Sequence, residues 1–142
     1  MKGNQKGVIV DVLIIDDDDV DQVLARRKLS TKYRIVEASD GEEALAILRG
    51  KHESKSLNRP YIVLLDINMP NMDGLEFLDE LRDDPKLSKT VVFVLTSSED
   101  PYEIEGAYSR HISGYLSKSR ISSSFEEIIM LLDAVANAVL FP

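Results

Sequence analysis

The sequence predicts a single-domain α/β fold, a doubly wound five-stranded parallel sheet with helices on both faces. Five short apolar runs alternate with five amphipathic segments, a pattern that fits neither a sandwich nor a helical bundle. The runs are almost continuously apolar and β-branched, as strands buried on both faces are. A chain of 142 residues, 44% of them hydrophobic, can bury one core without staples.

Residues 8–15 form the first run, and four aspartates, Asp16 to Asp19, end it abruptly. Asp19 with Gln22 makes a capping box for the first helix, whose Val20, Val23 and Leu24 keep the spacing of one face. Residues 33–38 are the second strand. Asp40 and Glu43 cap the second helix, where Ala44, Ile47 and Leu48 share a face, and Gly50 ends it. The polar stretch 51–59 has no apolar period and predicts an exposed, mobile loop. Residues 61–65 are the third strand, stopped by Asp66. A turn-rich connection, 68–74, leads into a helix bearing Leu75, Leu78 and Leu81. Met69 and Met72 flank Pro70 in that turn and read as loop packing. Residues 90–95 are the fourth strand, ending at Thr96. Asp100, Pro101 and Glu103 open a weakly periodic helix carrying Ile104, Ala107 and Tyr108 on one side, with His111 at its end as a surface or capping residue. Residues 114–117 make a short fifth strand before Lys118. Ser123 and Glu126 box the last helix, and Phe125, Ile128, Ile129, Leu132 and Ala136 hold its core face.

Charge narrows the function. Seventeen basic residues against 25 acidic ones give a net charge of −8, which repels phosphate backbones and anionic lipid and argues against nucleic-acid binding. No run of about 18 apolar residues occurs, so no membrane helix is expected. The N-terminal stretch reads as a strand and not a signal peptide, because Asp11 interrupts it. The absence of cysteine removes disulfides and thiol chemistry and suits a reducing compartment, the cytoplasm by default.

In open parallel sheets the ligand sits outside the carboxyl ends of the strands. There the sequence delivers Asp16 and Asp17 after strand one, Asp66 after strand three, Thr96 after strand four and Lys118 after strand five. Taken singly, each has a structural explanation as a cap, a strand end or a solvated charge. Together they do not, since apolar strands have no packing reason to converge on three acids, a hydroxyl and an amine. Clustered carboxylates repel one another unless a cation sits among them, and all-oxygen donors suit a hard divalent ion, magnesium or manganese. A carboxylate can also accept a phosphoryl group, with the metal, Lys118 and Thr96 stabilising charge on its oxygens. Asp66 is the candidate nucleophile, central in strand order and single. Asp16 and Asp17 remain as the metal pair, while Asp18 and Asp19 read as helix-cap and dipole residues.

Over nearly all of residues 8–140 the chain resembles a two-component response regulator receiver domain of the stand-alone, CheY-like, flavodoxin-like kind. The resemblance rests on LIIDDDD at 13–19, LLDINMPNMDG at 64–74, VFVLTSS at 92–98 and YLSK at 115–118. It implies that Asp66 is the phosphoacceptor, that Asp16, Asp17 and the backbone carbonyl of Asn68 help hold magnesium or manganese, and that Thr96 and Lys118 contact the phosphoryl group. It further implies that Tyr115 is a switch aromatic, filling space that Thr96 vacates when a phosphoryl group draws its hydroxyl. The longer loop 51–59 and the segment 83–89 are similar to receivers that work with phytochromes. The implied partners are therefore a sensor histidine kinase, of phytochrome type, or a phosphotransfer protein. One departure stands out: Ser119 follows Lys118 where the family usually has proline, often after a cis bond, so the loop after the lysine is expected to be arranged differently.

Two rival functions fit parts of the sequence. A haloacid-dehalogenase-like phosphohydrolase would use Asp16 as nucleophile and Asp18 as acid/base, but would leave Asp66 and its turn unexplained. A pseudo-receiver would only bind proteins. The favoured expectation is a non-enzymatic phosphoacceptor that promotes its own phosphorylation and dephosphorylation. With three residues left after the last helix, no output domain is expected. The signal then leaves through a downstream protein partner or a homodimer, by way of the face formed by 102–111, 114–118 and 125–139.

Overall fold

A computed structural model describes residues 10–142. Residues 8 and 9, placed by the sequence in the first strand, lie outside the described residues. Five strands, β1 (Asp11–Ile15), β2 (Arg34–Ala38), β3 (Tyr61–Leu65), β4 (Val92–Thr96) and β5 (Gly114–Ser117), form one parallel sheet in the order β2-β1-β3-β4-β5. The helices are α1 (Asp19–Leu29), α2 (Gly41–Leu48), α3 (Gly74–Asp83), α4 (Pro101–Ser109) and α5 (Glu126–Ala138). The order is that of flavodoxin-like sheets, with its reversal between β1 and β3.

Two-residue periodicity divides each strand between two cores. Leu13, Ile15, Val63, Leu65, Val92 and Val94 face one way, onto α2, α3 and α4 through Ile47, Phe77, Leu78, Leu81 and Ala107. Val12, Ile14, Ile62, Leu64, Phe93 and Leu95 face the other, onto α1 and α5 through Ala25, Leu29, Ile128, Leu132 and Ala136. Both faces of the sheet are therefore dry, which explains the unbroken apolar runs.

Helix starts are where the structure departs from the sequence expectations. Asp18, not Asp19, caps α1, its carboxylate accepting the Val20 and Asp21 amides. Gln22, Ala25 and Leu29 point inward, and Gln22 Nε2 donates to the Ala38 carbonyl at 2.7 Å. Val20, Val23 and Leu24 face outward instead, with Val20 67% exposed. Asp18 is also tied to the strand end, its amide donating to Asp16 Oδ1 at 2.9 Å. At α5 the cap is Phe125 in a left-handed conformation, φ 58°, with no side-chain bond. Ser122 and Glu127, rather than Ser123 and Glu126, tie the approach together, at 3.0 and 2.9 Å. Asp40, Asp73 and Asp100 do cap α2, α3 and α4. In α4 only Ala107 is buried and Tyr108 is 49% exposed, so the expected apolar side is weak. His111 is exposed, with φ 64°, and its amide bonds the Tyr108 carbonyl. Met69 is buried, and Met72 packs where a Gly41 Cβ would sit.

The loop 51–59 has no helix or strand but is fastened along β2. Lys55 Nζ donates to the Glu37 carbonyl at 2.8 Å and to Glu43 at 3.2 Å. His52 Nε2 lies 3.1 Å from the same Glu43 carboxylate, and the Asn58 amide donates to the buried Asp11 at 2.7 Å. Gly74 allows α3 to start against β3: a Cβ there would stand 2.7 Å from Ile67 Cα and 2.8 Å from the Asp66 carbonyl oxygen.

Candidate functional site

Parallel pairing brings the strand ends level. Ile15 pairs with Leu65, Leu65 with Val94, and Thr96 with Ser117, so the residues that follow emerge on one edge of the sheet. The ladder continues one rung into the acids: Asp66 N–H donates to the Ile15 carbonyl at 2.9 Å, and Asp16 N–H to that of Ala38 at 3.1 Å. The backbones of both aspartates are thus held by the sheet itself, not by a mobile loop.

Asp16, Asp17 and Asp66 each place a carboxylate oxygen within 4.8 Å of the others. Asp16 and Asp66 are buried and Asp17 is exposed. An all-oxygen triad open on one side is a donor set for a hard divalent cation that keeps some of its waters. Thr96, fully buried, donates its hydroxyl to Asp66 Oδ1 at 2.6 Å. Burial pushes the Asp66 carboxyl up, the Thr96 bond opposes this and the Asp16 charge adds to it; the net shift is upward, despite Lys118 and the Asn68 amide. Asn68 is exposed in the turn after β3.

Lys118 opens a 3-10 turn, Lys118–Arg120, after β5. Its ammonium bonds Asp16 Oδ2 at 2.8 Å and Asp21 Oδ2 at 2.7 Å. Burial lowers its pKa, but the two carboxylates outweigh burial and raise it, so the lysine stays charged. The sequence missed Asp21. Its place in the first turn of α1 reads as an ordinary dipole acid, and its partner lies 97 residues away. The Lys118–Ser119 bond is trans, the one cis bond among the described residues being Arg59–Pro60. Ser119 Oγ and Ser117 Oγ both donate to Glu99 in the β4–α4 loop, at 3.0 and 2.5 Å, so the serines on either side of Lys118 tie its turn to that loop.

Tyr115, on β5, is partly buried, and its hydroxyl donates to the Ser98 carbonyl at 3.0 Å. It therefore reaches the loop beside Thr96 rather than water. Thr96 already rests on Asp66, so the hydroxyl need not wait for a phosphoryl group to turn that way. Asp18, the acid/base of the hydrolase alternative, spends its carboxylate on the α1 cap. No described helix is long and apolar enough to cross a membrane.

Comparison with known proteins agrees with this geometry. The family model for the response regulator receiver domain matches residues 12–130. Response regulator Rcp1 of Synechocystis sp. is 34% identical over 112 residues, covering 77% of this chain and 76% of that protein. The crystal structure of Mn2+-bound Rcp1 superimposes with a TM-score of 0.77 at 30% identity, covering 92% of this chain and 97% of that one. That of the phosphorylated cyanobacterial phytochrome response regulator RcpA gives 0.81 at 29% identity, covering 95% and 99%. A parallel sheet that delivers three acids, a buried threonine and a charged lysine to one edge, in a chain so matched, belongs to the response regulator receiver family.

Proposed function

We propose that Asp66 accepts a phosphoryl group from a phosphohistidine, on a sensor kinase or a phosphotransfer protein, and that this changes which protein the domain binds. The observation that carries the reading is the setting of Asp66, a single buried carboxylate at the end of a central strand, hydrogen-bonded by Thr96 and facing two further acids. In the transfer, an Asp66 carboxylate oxygen forms a bond to phosphorus as the P–N bond breaks, and the electron pair returns to the imidazole nitrogen. Asp16, Asp17, Asp66 and the Asn68 carbonyl would hold Mg2+ or Mn2+, which neutralises charge on the transferred group when bound. Lys118 would supply positive charge and the Thr96 hydroxyl a donor to its oxygens. Water attacking the same phosphorus returns Asp66 to its free state, so the domain limits its own signal.

The Mn2+-bound and phosphorylated relatives support the metal and the acceptor, and the RcpA likeness supports a phytochrome-type kinase as donor. For output, Tyr115 lies between Ser98 and Tyr108, whose hydroxyl accepts the Tyr115 amide at 3.2 Å, so a shift at Thr96 reaches α4 and β5 directly. That face would carry a downstream partner or a second copy of the chain.

Incubation with radiolabelled acetyl phosphate and a divalent cation tests the acceptor. Wild type takes up one acid-stable, base-labile label, and Asp66→Asn takes up none. Label retained in Asp66→Asn, or mapped to Asp16, overturns the assignment.

A further inference from the structure

We propose that Asp21 is a positioning residue that holds Lys118 back in the resting site, so that phosphorylation is slowed by the share of the lysine that stays on Asp21 and not on the incoming phosphoryl oxygens. The inference rests on the reading of Asp66 as acceptor. An ammonium has three N–H groups. In Lys118 two of them are spent, on Asp16 Oδ2 and Asp21 Oδ2, and neither bond goes to Asp66. Asp16 is 7% exposed in its side chain and also takes the Asp18 amide through Oδ1, so it is bound into the strand end. The Asp21 side chain is 40% exposed, comes from α1 and has Lys118 as its ion-pair partner among the described residues. It belongs neither to the acid triad nor to the cap of its helix.

The two carboxylates therefore differ in what they do for the lysine. Asp16 lies beside the acceptor and keeps the ammonium at the site. Asp21 holds it from the α1 side, where Asp16, Asp21 and Lys118 line a cleft of about 190 Å³ between α1 and the segment after β5. A cation on Asp16 makes that carboxylate a poorer acceptor and leaves Asp21 the stronger holder. When a phosphoryl donor enters, the bond from phosphorus to its leaving acetate breaks with the electron pair going to acetate, and the bond to Asp66 oxygen forms. The three equatorial oxygens carry the charge that Lys118 must meet, and every ammonium N–H on Asp21 is one not on those oxygens. A partly exposed ion pair is a weak holder, so removing it speeds the reaction by about threefold, not by orders of magnitude.

The test compares wild type, Asp21→Asn, Asp21→Glu and Asp66→Asn for initial labelling rate across acetyl phosphate concentration. The Lys118 ammonium proton–nitrogen signal is followed by NMR and assigned with Lys118→Arg. Asp21→Asn should label about threefold faster, through the maximal rate, and its ammonium protons should exchange faster with water. Asp21→Glu, which restores the carboxylate, should return both toward wild type. Labelling in Asp21→Asn at the wild-type rate, or slower, overturns the proposal, as does an unchanged ammonium signal. Failure of wild type itself to take label, or equal label in Asp66→Asn, instead overturns the acceptor reading, so the two failures are distinct.

Discussion

Two carboxylates near the same end of the sheet, Asp66 and Glu43, are treated in opposite ways by the fold. Glu43 is opposed by burial, but the Ser39 amide, Lys55 and His52 outweigh it and hold its carboxyl at about 2. Asp66 is pushed up by burial, with only the Thr96 hydroxyl, a lysine bonded elsewhere and one amide to offset it. The first is a fully satisfied anion that fastens a loop. The second is an anion kept short of partners, at a cost in stability, and the missing neutralisation is what a divalent cation and a phosphoryl group's ligands would provide. A satisfied carboxylate marks architecture here, and a deprived one marks chemistry.

The largest expected effect is on the deprived side. Removing divalent cations with a chelator should lower labelling of Asp66 about a hundredfold or more, and Asp17→Ala should weaken the metal dependence, while the Glu43 contacts are untouched. Equal labelling with and without chelator would erase the distinction. Next comes stability. Asp66 has its folded pKa above its unfolded one, so its favourable contribution is full below about 4 and is lost as pH rises through the raised value. Its charge is therefore a burden at neutral pH, and Asp66→Asn should stabilise the fold by about 1 kcal/mol in denaturant melts at pH 7, with little gain in acid.

Glu43 carries the reverse sign. Its folded pKa lies below the ordinary 4.5, so its contribution is full above that value and fades as pH falls through about 2. The side chain is 24% exposed and solvent screens the pair, so Glu43→Gln should destabilise by only about 1 kcal/mol at pH 7 and leave labelling unchanged. A matching drop in labelling would mean that loop and site are coupled. Smallest of all, Tyr115→Phe removes one hydrogen bond, to Ser98, and should cost at most about 1 kcal/mol. Its readout is partner binding or oligomer size at equal labelling, which should change if Tyr115 relays the signal.

The strands and the acids that end them were legible because burial on both faces leaves an unbroken apolar run, and a carboxylate after such a run has nowhere to go but the sheet edge. Asp16, Asp17 and Asp66 followed from that rule, and Thr96 and Lys118 from its extension to any polar group at the carboxyl end of an apolar strand. What stayed hidden depended on contacts across the chain. Asp21 looks like any acid in a first helical turn until Lys118 arrives beside it. The outward phase of Val20, Val23 and Leu24 goes with Gln22, Ala25 and Leu29 packing inward, and a buried Gln22 bonded to Ala38 is a tertiary contact that apolar spacing does not reveal. The left-handed Phe125 and the serine clasp on Glu99 depend on backbone geometry that local spacing does not encode.

The fastened loop beside β2 has a consequence for assembly. β2 is an outer strand, and its Ala38 carbonyl is taken by β1, so that of Glu37 points away from the sheet. The Lys55 ammonium sits on that carbonyl, and Arg34 reaches the Ser56 carbonyl from the same strand. An incoming strand would have to displace an ion-paired lysine before forming its first ladder bond, so this border is closed to strand addition. The loop thus guards the β2 side of the sheet and leaves the helices and β5 as the surfaces open to another chain.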